Sequence, residues 1–283
     1  MTAVAAPGWR RLRDSRAVRV SAAVLAVIAC AAIFGPLVSP HDYRATDFDS
    51  RLQPPAIGEF RLFGSDDLGR DLFARTMSGT RVTLLVAVVA SIVSLVIGVA
   101  WGAVAGYAGG KVDAVMMRCV DALYALPFIF LVILLMVAFE RNFLLIFVAI
   151  GAINWLDMAR IVRGQTMSIR NREFIDAARL IGVSPAGIVM RHITPNLLGV
   201  VVVYLTLSIP QAVLVESFLS FLGLGVQEPD TSLGALVNDG VARMERAPWM
   251  LLLPATLLAV ILLAFNFLGD GLRDVFDPRH SPK

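Results

Sequence analysis

Six stretches of about twenty mostly apolar residues dominate this chain, at roughly 18–38, 82–105, 119–138, 143–162, 197–219 and 250–268. A helix needs ~20 such residues to cross the hydrocarbon core of a bilayer, where each backbone N–H and C=O must be paired within the segment. Composition agrees: 57% of the 283 residues are apolar or aromatic and 17% are charged, against roughly 25% charged in a soluble domain. The expectation is an all-α membrane protein with six transmembrane helices, which excludes a soluble globular fold and a disordered chain. The fourth stretch is the least apolar. Asp157 and Arg160 lie near its end at i, i+3, where they can pair or reach the interface.

The first stretch follows Arg10, Arg11, Arg13, Arg16 and Arg19, as a signal peptide would, and Val27-Ile28-Ala29-Cys30 resembles a loose lipoprotein cleavage box. Its apolar run continues past Cys30 to Val38, beyond the ~7–15 residues of a signal core, so an uncleaved first span is expected. Cys30 and Cys119 have no CxxC partner and read as buried small apolar residues rather than a disulfide or zinc site.

Orientation follows the basic residues. With the N-terminus inside, 16 of the 25 Lys and Arg fall on that side and 9 on the other. The richer side is expected to be cytoplasmic, with both termini there. The net charge of +3 is too even for a nucleic-acid partner.

Several chemistries lack their residues. Gly109-Gly110-Lys111 has Ala105 at the first glycine position of a phosphate loop and Val112 after the lysine, so no ATP site is expected on this chain. HExxH and G-x-S-x-G are absent. Asp66, Asp67 and Asp71 lack the calcium-loop spacing and read as a capped turn leading into a short helix, 67–80. Gly98, Gly102 and Gly106 form a small-xxx-small face that lets another helix approach closely.

The segment between the fourth and fifth stretches, about 163–196, is the most informative. Phe174, Ala177, Ala178 and Ile181 fall on one helical stripe. Gly182 sits where a helix ends, Ser184 offers an N-cap, and Pro185 suits a first helical turn, with a second short helix expected to stop near Pro195. Helix, bend, helix is the reading. Its spacing is compatible with an amphipathic helix on anionic headgroups or with a knob docking into a soluble partner.

Asp176-Ala177-Ala178-Arg179-Leu180-Ile181-Gly182, nine residues, then His192, Thr194 and Pro195 resemble the EAA loop of ABC importer permeases. Asp replaces the first Glu, His the Ile and Thr the Leu of that pattern, and Arg191-His192-Ile193-Thr194-Pro195-Asn196 is similar to the peptide-permease branch. Phe63 to Asp71, Ser220 to Val226 and Phe265 to Asp274 resemble three further segments of that branch, so the likeness covers about residues 60–280. It points to the second, C-type permease subunit of the dipeptide/oligopeptide/nickel family.

The resemblance implies a type I ABC importer permease fold with a cytoplasmic coupling helix in a bacterial inner membrane. It also implies half of a translocation pathway for di- or oligopeptides, the other half coming from a second permease. Two cytoplasmic ATPase subunits would bind ATP and Mg, an extracytoplasmic binding protein would deliver solute, and no cofactor would sit on this chain. The ATPase-coupling residues would be Glu173, Phe174, Asp176, Ala177, Ala178, Arg179, Ile181, Gly182, His192 and Pro195. Asp121, Glu216 and Asn266 are candidates for lining the pathway, because ionisable and polar groups inside spans are costly; Pro127 and Pro210 are candidate kinks. Asp121 also stands at i+3 from Arg118 and can pair with it. The divisions expected are 1–62, carrying the first span; 63–81, an extracytoplasmic segment; 82–270, the permease core; and 271–283, a cytoplasmic tail. Nickel or another small solute is the alternative, weakened by only three histidines, none in a span. A secondary transporter would need ion-coupling carboxylates near mid-membrane, and these spans offer few.

Overall fold

The computed structural model describes residues 15–56, 61–127, 130, 134 and 143–276. Among them the chain is helical and has no β-strand. The helices are α1 (Arg16–Val38), α2 (Leu72–Ala108), α3 (Gly110–Tyr124), α4 (Phe143–Arg170), α5 (Glu173–Leu180), α6 (Pro185–Gly187), α7 (Thr194–Phe221), α8 (Leu233–Arg243) and α9 (Trp249–Phe276). A π-helical stretch, Ile188–Ile193, joins α6 to α7. Four of the described helical segments are long and apolar enough to cross a membrane: Arg16–Val38, Leu72–Ala108, Pro185–Phe221 and Trp249–Asp274. The third expected span falls in part on residues outside the description, 128–129, 131–133 and 135–138, and the fourth lies within α4.

The short helix expected over 67–80 is not separate. Asp71 caps the start of α2 by accepting from Ala74 N at 3.0 Å, and α2 then runs unbroken for 37 residues. That is about 55 Å, longer than the ~30 Å hydrocarbon core. Nothing in 78–82 interrupts it; the Thr76 and Thr80 hydroxyls bond back to the carbonyls of Leu72 and Thr76. The expected loop helix ending near Pro195 is also revised. Thr194 N and Oγ1 both donate to the Val189 carbonyl, five residues back. This wider turn gives room to the Pro195 ring, which in a regular helix would strike the carbonyl four residues earlier, so the chain continues into α7. Pro210 lies inside α7, whereas Pro127 follows the end of α3. Cys30 and Cys119 are exposed rather than buried. The helix α8, absent from the sequence reading, is capped by Ser232, whose hydroxyl accepts from Ala235 N.

The chain divides into two compact units, 1–88 with 209–283, and 89–208. In the first, α9 packs against α1 and α8, around Ile28, Leu233 and Ile261. The three aspartates of the 65–71 turn serve the fold. Asp66 Oδ1 accepts from the amides of Leu68 and Arg70, and its Oδ2 pairs with Arg70 Nε at 2.6 Å. Buried Arg75 has Asp66 at 3.4 Å and Glu228 at 3.7 Å.

In the second unit the expected glycine face packs on α4. A Cβ on Gly102 would lie 2.4 Å from the Ala159 carbonyl oxygen, and one on Gly106 would lie 2.7 Å from that of Arg163. Only a missing side chain lets the helices meet this closely. Trp101 stands edge-on to Trp155 with ring centroids 5.4 Å apart, beside the buried Val120, Leu156 and Ala159.

Candidate functional site

The helix–bend–helix segment lies wholly within the second unit. Glu173 and Asp176 occupy the first turn of α5 and Arg179 its last, the arrangement that complements the helix dipole. Arg179 Nη1 donates to Asp176 at 2.9 Å, and its guanidinium lies 5.6 Å from the Tyr107 ring centroid. Tyr107, then Asp176, hold Arg179 above its ordinary pKa.

The helix ends in a Schellman bend. Val183 N donates to Ala178 O and Gly182 N to Arg179 O, both at 3.0 Å, with Gly182 at φ +83°. The chain then restarts as its residues dictate: Ser184 Oγ accepts from Gly187 N at 3.2 Å and Pro185 takes the first turn.

Burial separates the expected docking stripe. Ala178 is only 4% exposed and joins Ile169, Ile175, Ile188, Ile193 and Val162 in the unit's core. Phe174, Leu180 and Ile181 are 39%, 88% and 80% exposed, and Ala177 is also open. The inward anchors are thus Ile175 and Ala178, while the open apolar face is Phe174, Ala177, Leu180 and Ile181. Ile175 and Leu180 were not singled out from sequence. Both belong to an eight-residue helix apolar on more than one side, and periodicity alone does not say which side faces in. His192 is half-buried in the π-helical stretch, its carbonyl accepting from Asn196 Nδ2 at 2.6 Å, and Pro195 is exposed in the first turn of α7.

Two arginines tie this segment to its support. Arg170 Nη1 donates to the carbonyls of Gly106 and Tyr107, satisfying the C-terminal end of α2. Arg163 engages Asp113 through both Nε and Nη2, the latter at 2.6 Å. That guanidinium holds the Asp113 carboxyl below its ordinary pKa. An apolar groove of about 480 Å³ lies alongside, lined by Val104, Tyr107, Val189 and Met190 among others.

The candidate pathway residues are dispersed. Glu216 is fully buried in the first unit, accepting from Ser220 Oγ at 2.7 Å and Ser217 Oγ at 3.4 Å. Asn266 is exposed on α9. Asp121 pairs with Arg160 across α3 and α4 at 2.8 Å rather than with Arg118, and Asp157 accepts from the Tyr124 hydroxyl rather than pairing with Arg160. Asp121, Glu216 and Asn266 lie far apart in sequence, and only the packing of α3 on α4 brings Asp121 to Arg160.

Residues 98–282 match the family of binding-protein-dependent transport system inner membrane components, and residues 7–55 match the N-terminal TM domain of oligopeptide transport permease C. The chain is 53% identical over 270 residues to the oligopeptide transport system permease protein OppC of Escherichia coli strain K12, covering 95% of this chain and 89% of that protein. It is 48% identical to the OppC protein of Haemophilus influenzae over 95% of this chain and 87% of that one. To the dipeptide transport system permease protein DppC of Bacillus subtilis it is 41% identical over 96% of this chain and 84% of that one. With its long apolar helices and these matches along nearly its whole length, the chain is a multi-pass protein of the bacterial inner membrane and belongs to the binding-protein-dependent transport system inner membrane component family.

Proposed function

We propose that this chain is a permease subunit of an ATP-driven importer, forming half of the pathway for di- or oligopeptides. Six spans place both termini and the 163–196 segment in the cytoplasm. The first span lies in 1–62, the extracytoplasmic segment in 63–81, the permease core in 82–270 and a cytoplasmic tail in 271–283. A second permease completes the pathway, a binding protein delivers the solute, and two ATPase subunits carry ATP and Mg. The relatives named for oligopeptide and dipeptide transport support the substrate class.

One observation carries the coupling role. The helix α5 is anchored in the unit's core by Ile175 and Ala178, yet leaves Phe174, Leu180 and Ile181 open beside a glycine bend closed by two backbone hydrogen bonds. A lipid-surface helix needs an open apolar face but not a stiff mount; a lever needs both. Movement of an ATPase groove holding that face passes through Ile175 and Ala178 into α4 and α7. Glu173, Asp176 and Arg179 give the lever a polar rim, and His192 and Pro195 lie where it continues into α7.

The test is reconstitution with the candidate partners. The full complex hydrolyses ATP in step with peptide uptake, while the purified chain alone hydrolyses none. Turnover by the lone chain, free of contaminating ATPase, refutes the reading.

A further inference from the structure

The apolar groove beside the coupling segment lies wholly within the second unit. Val104, Tyr107 and Ala108 line it from the end of α2, Pro185 from α6, and Val189 and Met190 from the π-helical stretch. Its volume of about 480 Å³ falls within the ~300–1,000 Å³ of sites that hold a small organic molecule. The lining is almost wholly apolar, so a polar ligand finds little to bond there. Val104 is 47% and Met190 68% exposed, so the described part of the chain does not fill the groove.

Its place in the chain says which solvent it meets, a step that rests on the importer topology proposed above. Val104 belongs to the cytoplasmic end of the expected span 82–105, and Tyr107 and Ala108 follow it. The groove thus runs from the edge of the hydrocarbon into the headgroup layer, where tyrosine is enriched. Two cations stand at that level. Lys111 comes three residues after Ala108, past the Gly109 bend, and Arg191 follows Met190. Both are exposed, and neither has an ion pair among the described residues. The other arginines nearby are committed. Arg163 holds Asp113, Arg170 the carbonyls of Gly106 and Tyr107, and Arg179 holds Asp176.

A hydrocarbon-lined groove with unneutralised cations at headgroup depth is complementary to an acyl chain that ends in an anionic head. The cytoplasmic leaflet supplies such lipids, and basic pockets between membrane helices on that side bind their headgroups. We infer that the groove binds an anionic phospholipid of the inner leaflet, with an acyl chain between α2 and the π-helical stretch and the phosphate met by Lys111 and Arg191. No residue of α5 lines the groove, so this lipid and an ATPase on α5 use different residues.

The experiment uses the complete transporter, both permeases with their ATPases, in nanodiscs of phosphatidylcholine. A trace of phosphatidylglycerol carries a diazirine on its acyl chain. After illumination the cross-linked residues are read by mass spectrometry, with unlabelled phosphatidylglycerol titrated as competitor. Cross-links should fall on 104–108 and 185–190. Lys111→Gln and Arg191→Gln should each weaken the competitor about fivefold, the effect of one cation at an anionic surface. Lys111→Arg should keep wild-type affinity, and Ala108→Trp, which fills the groove from an exposed position, should abolish the cross-links. Phosphatidylcholine with the same diazirine should cross-link there far less. Equal labelling by the two lipids, or no response to the cation variants, would mean ordinary contact with bulk lipid. No cross-link in the wild-type complex would mean that an ATPase or the second permease covers the groove. Each of these results overturns the site. A reporter inserted after Gly110 that reads extracytoplasmic overturns the importer topology itself, and that failure shows before any lipid is measured.

Discussion

Gly182 is the position at which the coupling proposal is most exposed to refutation. Its φ of +83° lies in the left-handed region, and no atom stands within 4 Å of where a Cβ would be. A side chain there meets no neighbour, so the cost is purely one of backbone, about 1–2 kcal/mol for a residue with a Cβ. The strain is relieved by giving up the two Schellman bonds, Val183 N to Ala178 O and Gly182 N to Arg179 O. Gly182→Val then lowers the ratio of native to unwound bend by about five- to thirtyfold. The whole protein, with ~5–15 kcal/mol of stability, stays folded and inserted. Asn tolerates the left-handed region better than other residues with a Cβ. The expected order of peptide uptake is therefore Gly, Asn, Ala, Val at equal membrane level. Uptake and ATPase co-purification are measured in the same membranes, with subunit levels fixed by quantitative blotting. Full uptake by Gly182→Val at wild-type level would refute the bend as a force-bearing element. A collapse of membrane level in all three variants would show that the backbone argument misplaces the strain.

The exposed and buried sides of α5 should respond oppositely. Leu180→Asp and Ile181→Asp keep membrane level and lose the ATPases on co-purification, whereas Ala178→Asp buries an unpaired carboxylate and lowers the level itself. Gly102→Val forces α2 from α4, since even its Cβ would sit 2.4 Å from Ala159 O, and should sharply lower the melting temperature in detergent. Gly164→Ala, mid-helix with nothing within 4 Å, should be neutral or stabilise by about 0.4–1 kcal/mol. The Asp113–Arg163 pair predicts a pH dependence. The Asp113 pKa is held below its ordinary 3.8, so the pair's contribution is complete above that value and lost as pH falls through the lowered one. Acid melting curves of Asp113→Asn should lack this component.

Much of the architecture was legible without coordinates. The apolar runs marked α1, α2, α7 and α9, because lipid leaves a spanning segment few alternatives to a helix. The glycines at 98, 102 and 106 marked a close helix contact, and Gly182, Ser184 and Pro185 marked the bend, because each of these residue types has a local conformational reason to be there. Local rules failed where the deciding contact was distant. Pro195 signals a helix stop, yet the π-helical turn closed by Thr194 and Val189 carries the helix past it. Asp121 has Arg118 one turn away and takes Arg160 from another helix instead. On α5 the choice of inner face depended on tertiary packing. Periodicity groups Phe174, Ala177, Ala178 and Ile181 on one stripe, but only the cluster with Ile169, Ile188 and Ile193 turns Ala178 inward and adds Ile175 beside it. Chain composition sets which segments leave water, since that transfer is summed over local residues. Which side chains then meet is set by close packing between segments far apart in sequence, and only the folded arrangement fixes it.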